Sequence, residues 1–106
     1  MLLEEIRQLT NRDNWDGYGS FSVDSIVIEN TEKFLSLLNN FSVELHPTTN
    51  GCISIEIIKE NKNFYLEIGL SKYSGILEKD NRPHVFFDGY TVDMKNIHQL
   101  IETEFK

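Results

Sequence analysis

The sequence predicts an α+β domain with two N-terminal helices, a four- to five-stranded antiparallel meander and a C-terminal helix, the helices packed on one face of the sheet. Three observations carry this. Two stretches, Cys-Ile-Ser-Ile-Glu-Ile-Ile at 52–58 and Phe-Tyr-Leu-Glu-Ile-Gly-Leu at 64–70, alternate apolar and polar residues with the period of half-buried strands. Apolar residues recur at helical spacing before and after the strands. The strand candidates also follow one another with no helix between them, which implies a meander rather than a parallel sheet.

Taken in order, Leu2, Leu3, Ile6 and Leu9 predict a short amphipathic helix over residues 2–10. Asn14-Trp15-Asp16-Gly17-Tyr18-Gly19-Ser20 then breaks every periodicity and reads as a compact turn with positive φ angles pinned by an aromatic anchor. Ser20 or Ser22 is placed to cap the next helix. In that helix Val23, Ile26, Val27, Phe34, Leu37, Leu38 and Phe41 form one stripe, so residues 23–41 should make the longest element.

Val43 to His46 reads as a short strand, and Asn50-Gly51 as a type I′ turn returning the chain into the 52–58 strand. In the central hairpin Ile53, Ile55 and Ile57 share a face with Phe64, Leu66 and Ile68. The other face carries Ser54, Glu56, Tyr65 and Glu67. A turn centred on Asn61-Lys62 sets Glu56 opposite Glu67; one centred a residue earlier sets Glu56 opposite Tyr65, and both registers are open. Residues 72–77 and 84–90 give two further strands around a charged turn at 78–83, with a second turn or bulge at Asp88-Gly89. Asp93 caps a last helix whose apolar face is Met94, Ile97, Leu100, Ile101 and Phe105.

The 106 residues make a single domain, 1–106, long enough to bury about 65% of the surface its unfolded chain exposes. The single Cys52 has no partner for a disulfide, and the first residues carry no basic region or long apolar run, which together point to the cytoplasm. A net charge of -7 disfavours direct nucleic-acid contact and membrane surfaces, and suits a basic protein partner. His46, His84, His98 and Cys52 are scattered over four elements, so neither a metal nor another cofactor is expected. Gly17-Tyr18-Gly19 does not join a strand to a helix and is no phosphate loop.

The motif Asn-Trp-Asp-Gly-Tyr-Gly-Ser at 14–20, the long helix after it, and Pro-Thr-Thr-Asn-Gly-Cys-Ile-Ser-Ile-Glu-Ile at 47–57 resemble a group of small, largely uncharacterised bacterial proteins. That group shows Trp-Asp-Gly-x-Gly-Ala/Ser and Pro-Thr-x-Asp/Asn-Gly-x-Ile-x-Leu-Glu-Trp. Ile57 departs from the pattern, standing where the group has tryptophan, and the resemblance covers about the first two thirds of the chain. It implies a bacterial or phage setting beside toxin-like or mobile-element genes, and hence an antitoxin or inhibitor.

The expectation is therefore a non-enzymatic protein-binding module. Trp15, Asp16 and Tyr18 with Glu56, Tyr65 and Glu67 are its partner-binding candidates, since aromatic residues dominate interface hot spots. A small-ligand-binding domain using the same face is the alternative, and a hydrolase with Glu56 and Glu67 as its carboxylates a further one. An exposed edge strand leaves room for a homodimer.

Overall fold

The computed structural model describes residues 1–38 and 41–105. The elements run α1 (Leu3–Leu9), α2 (Ser25–Leu35), β1 (Glu44–Pro47), β2 (Ile53–Lys59), β3 (Lys62–Ile68), β4 (Lys72–Lys79), β5 (Arg82–Tyr90) and α3 (Lys95–Phe105). The five strands pair antiparallel in chain order, as an α+β meander. No helix among the described residues is long and apolar enough to cross a membrane.

Period-two alternation sorts the sheet into two faces. Ile53, Ile55, Ile57, Phe64, Leu66, Ile68 and Leu77 are all buried on one of them. All three helices lay their apolar residues on that face: Ile6 from α1, Val27, Ile28 and Phe34 from α2, and Ile97, Ile101 and Phe105 from α3. Phe64 sits at the centre, stacked on Phe87 at 5.2 Å between ring centroids and met edge-on by Phe105. Asn30 ties α2 to the sheet, its side-chain amide donating to the Gly69 and Leu70 carbonyls at 3.1 and 3.0 Å.

Two glycines let aromatic rings lie flat on this face. Gly75 faces Phe87 and Gly89 faces Tyr73 across the β4–β5 pair. A Cβ at Gly75 would stand 2.2 Å from the Tyr65 carbonyl and 2.4 Å from the Phe87 ring, so only glycine admits the approach.

The central turn is Glu60-Asn61, with Lys59 paired to Lys62, which selects the register with Glu56 opposite Tyr65 from the two that the sequence left open. Several other local expectations are corrected. Asn50 keeps a negative φ and only Gly51 enters the left-handed region at φ 85, which excludes a type I′ turn. The reversal is instead a longer loop closed by the Thr48 N–H on the Cys52 carbonyl, because Pro47 and Ile53 are the last paired residues. The 78–83 turn contracts to Asp80-Asn81, whose φ angles of 54 and 61 are those of a tight hairpin. Asp88 and Gly89 stay within β5, and the irregularity lies at the other end, where His84 is the extra residue between Pro83 and Val85.

The second helix starts at Ser25, not Val23, because Asp24 supplies the cap: its carboxylate accepts the Ile26 N–H at 2.8 Å. Ser20 and Ser22 are engaged elsewhere, Ser20 with Asp16 and the Ser22 N–H with Asp13. The helix ends at Leu35, so its 11 residues equal the 11 of α3 rather than exceeding them. Its buried stripe takes Ile28 and Thr31 and leaves Ile26 and Leu37 exposed. Residues 39 and 40 of the expected 23–41 helix lie outside the described residues. At the C-terminal helix the Asp93 carboxylate accepts the Lys95 N–H at 3.3 Å, as a cap should.

Candidate functional site

Among the described residues no helix packs on the second face of the sheet. Its side chains fall into rows that cross the strands, each row set by the register. The middle row runs Glu44, Glu56, Tyr65, Ile76, Phe86 from β1 to β5. One pair along, His46, Ser54, Glu67, Ser74 and Asp88 form a second row; on the other side Ile58, Asn63 and Glu78 form a third. Phe86 is 74% exposed and Ile58 63% exposed. The apolar run of Tyr65, Ile76 and Phe86, which ends at the β5 edge, is thus flanked by Glu44 and Glu56 along its row and by Glu67, Glu78 and Asp88 in the rows beside it.

The three candidates on this face come together as pairs and diagonals. Glu56 faces Tyr65 directly, while Glu67 faces Ser54 and lies diagonal to Glu56. Partial burial raises the Tyr65 phenol pKa, and the charges of Glu67 and Glu56 add to the rise. Cys52 adjoins the same cluster: partial burial first and the neighbouring Glu67 carboxylate second push its thiol pKa up, the opposite of what a nucleophilic thiolate needs. Lys72 brings a cation to the far corner, its ammonium 5.8 Å from the Tyr90 ring centroid.

Trp15, Asp16 and Tyr18 sit apart from these rows, on the loop between α1 and α2. The half-buried Trp15 indole donates to the Phe21 carbonyl at 2.9 Å and so closes the loop on itself. Asp16 is its internal clamp: one carboxylate oxygen accepts the Tyr18 and Ser20 N–H groups at 2.9 and 3.4 Å, and the other takes the Ser20 hydroxyl. The Ser20 hydroxyl, with the Tyr18 amide, holds the Asp16 pKa below the usual carboxylate value. Asn14, Gly17 and Gly19 all adopt positive φ, as the glycine-rich composition implies. Of the three candidates only Tyr18, 92% exposed, is presented to solvent.

The loop joins the turn at 48–51. The Phe21 N–H donates to the Thr49 carbonyl at 3.0 Å, and a Cβ on Gly51 would stand 3.1 Å from the Ser22 carbonyl. That turn leads through Cys52 to the Glu67 end of the open face, where Asn50, Cys52, Glu67, Ser74 and Asp88 line a shallow groove. The two motifs, some thirty positions apart in sequence, therefore meet at one end of the molecule.

Residue patterns alone missed Ile58, Ile76, Phe86, Glu78 and Asp88 as members of the face, and Phe21, 63% exposed, as a companion of Tyr18. The alternation of β4 and β5 held the signal for most of them, but it acquires a face only once the registers are known. No group of three or more His, Cys, Asp or Glu among the described residues is placed to hold a metal ion. Comparison with family models, with curated proteins and with solved structures finds no match to the chain.

Proposed function

We propose that the protein is a non-enzymatic binding module that covers a basic protein surface with its open sheet face, as an antitoxin or inhibitor of a toxin, defence or phage-encoded effector. The observation that carries the reading is the composition of that face. An apolar row of Tyr65, the half-buried Ile76 and the exposed Phe86, flanked by carboxylates, resembles the layout of a protein interface, a hydrophobic core beside a polar rim. The chain's net charge of -7 strengthens its attraction to a cationic partner. The resemblance of the Trp15 and Pro47 motifs to proteins found beside toxin-like genes supports the inhibitor role. A cytoplasmic setting, with neither membrane nor nucleic acid as partner, goes with it, and an open edge strand is compatible with self-association.

The hydrolase reading has less to stand on, because the register separates Glu56 from Glu67. For a small ligand, a groove of about 360 Å³ lined by Asn30, Phe34, Leu37, Val92 and Met94 lies between α2 and the β5–α3 connection rather than on the open face.

The test is affinity capture on the immobilised protein from a bacterial lysate, followed by titration of the purified captured protein. Binding should weaken steeply between about 0.05 and 0.5 M salt. Phe86→Ala should cost about 2 kcal/mol or more of affinity. Salt-indifferent binding that ignores Phe86→Ala would reject the proposal.

A further inference from the structure

The groove between α2 and the β5–α3 connection lies away from the open face and is built from different residues. Helical spacing sets one wall: Asn30, Phe34 and Leu37 recur at i, i+4 and i+7, with the exposed Lys33 beside them. The other wall is the turn that carries Thr91, Val92 and Met94. Phe34 and Met94 are buried, whereas Leu37 is 42% and Val92 94% exposed, one on each wall.

Both walls are braced. The Asn30 amide donates to the Gly69 and Leu70 carbonyls and, at 3.4 Å, to the Thr91 hydroxyl, so one side chain joins α2 to the connection. On either side of Val92 the backbone is held by the Thr91 N–H on the Ser71 carbonyl at 2.9 Å and the Asp93 N–H on the Tyr90 carbonyl at 3.1 Å. Walls fixed in this way lower the ordering cost of binding.

The lining is selective in charge. Although the chain carries -7, Lys33 is the one charged residue along the groove and no carboxylate lines it. Glu29 and Glu32 border the adjoining hollow of α2, yet Lys33 forms no ion pair among the described residues. The Thr91 hydroxyl accepts from Asn30 and keeps its own proton to donate.

We infer that this groove binds a small organic acid, with an apolar body the size of one ring or a short alkyl chain and a single carboxylate. The body lies on Phe34 and Met94 between Leu37 and Val92, and the carboxylate takes the Lys33 ammonium and the Thr91 hydroxyl. A volume of about 360 Å³ suits a ligand of that size, near the lower end of the range of about 300 to 1,000 Å³ for small-molecule sites. Covering the two exposed apolar walls drives binding, and the lone cation selects an anion.

The probes are phenylacetate and octanoate, with neutral phenylacetamide and cationic phenethylamine as matched controls, each titrated to about 10 mM at neutral pH against the isotope-labelled chain. Saturable shifts should appear at the backbone amides of Asn30, Leu37, Val92 and Met94. Phenylacetate should bind roughly fivefold more tightly than phenylacetamide, and phenethylamine most weakly. Lys33→Gln should erase the preference for the acid, while Val92→Ser should weaken acid and amide alike by about threefold. Both side chains are exposed, so both variants should fold. Phe86→Ala should change none of these values, which lets this inference and the open-face reading fail separately. Absence of saturable shifts with both acids, shifts confined to other parts of the chain, amide or amine binding as tightly as acid, or an acid preference that survives Lys33→Gln would each overturn the inference.

Discussion

Lys79 Nζ lies 2.9 Å from a carboxylate oxygen of Glu104, and Lys62 Nζ lies 3.4 Å from the same oxygen. Lys59, Lys62, Lys79 and Arg82 form one cross-strand row at the end of the helix-covered face, where like charges side by side repel. The C-terminus of α3 answers them. Lys62 donates to the Glu104 carbonyl at 2.6 Å and Lys59 to the Phe105 carbonyl at 3.1 Å, satisfying the last carbonyls of the helix with cations at its negative end.

Glu104→Gln should therefore lower stability by about 1 kcal/mol at neutral pH, more than an ordinary surface change. The bond from Lys79, then the charges of Lys79 and Lys62, hold the Glu104 pKa below its usual 4.5 despite some desolvation. A carboxyl with a lowered folded pKa stabilises fully above its unfolded pKa and loses that contribution as pH falls through the folded value. Denaturant melts from pH 7 to pH 3 should show the wild type losing its advantage over Glu104→Gln below about pH 4.5. A constant gap across that range would mean that the carboxylate charge is not what matters.

Gly75→Ala should cost about 3 kcal/mol or more, since the new methyl meets backbone at the Tyr65 carbonyl as well as the Phe87 ring. Gly89→Ala should cost less. The atoms in its way belong to the end of the Tyr73 ring, which can swing aside. Equal thermal shifts for the two variants would contradict the difference in their surroundings.

The two faces of the central hairpin should respond oppositely to truncation. Ile55→Ala and Leu66→Ala, fully buried in the parent, should each cost about 2 to 5 kcal/mol. Glu56→Ala should stay within about 0.5 kcal/mol because its side chain lies on the open face. Urea midpoints at fixed pH measure all three.

Trp15→Phe should lose the hydrogen bond to the Phe21 carbonyl, about 1 kcal/mol, and keep most of the ring packing. Trp15→Ala should cost about 3 kcal/mol. As the only tryptophan, Trp15 also reports on itself: its emission should be partly shielded from acrylamide in the folded chain. Freely quenched, red-shifted emission would place the ring in solvent and make it a contact residue rather than the anchor of the loop.

Much of the fold was legible in the chain because its signals are local. Alternation over 52–58 and 64–70 specifies two strands and their buried faces, since successive side chains of any strand must point to opposite sides. Spacing near Ile97, Ile101 and Phe105 specifies the last helix, and the Trp15 loop declared its positive φ angles through its glycines. Boundaries were another matter. Asp24 rather than Ser20 or Ser22 caps α2: the helix starts directly after Asp24, the Ser20 hydroxyl is taken by Asp16, and the Ser22 N–H is tied back to Asp13, contacts no local pattern announces.

Register and convergence belonged to the tertiary structure. The turn sequence at 59–63 admits two centres, and the choice of Glu60-Asn61 decides whether Glu56 meets a carboxylate or a phenol. The β3–β4 and β4–β5 registers bring Ile76 beside Tyr65 and Phe86 beside Ile76, and so create an apolar row among carboxylates that no single strand contains. The meeting of the Trp15 loop with the Thr49 turn, and of three lysines with the end of α3, likewise joins residues distant along the chain. The sequence alone determined which side chains each strand presents to a face, because that follows from backbone geometry; which of them became neighbours depended on how the strands and loops were brought together.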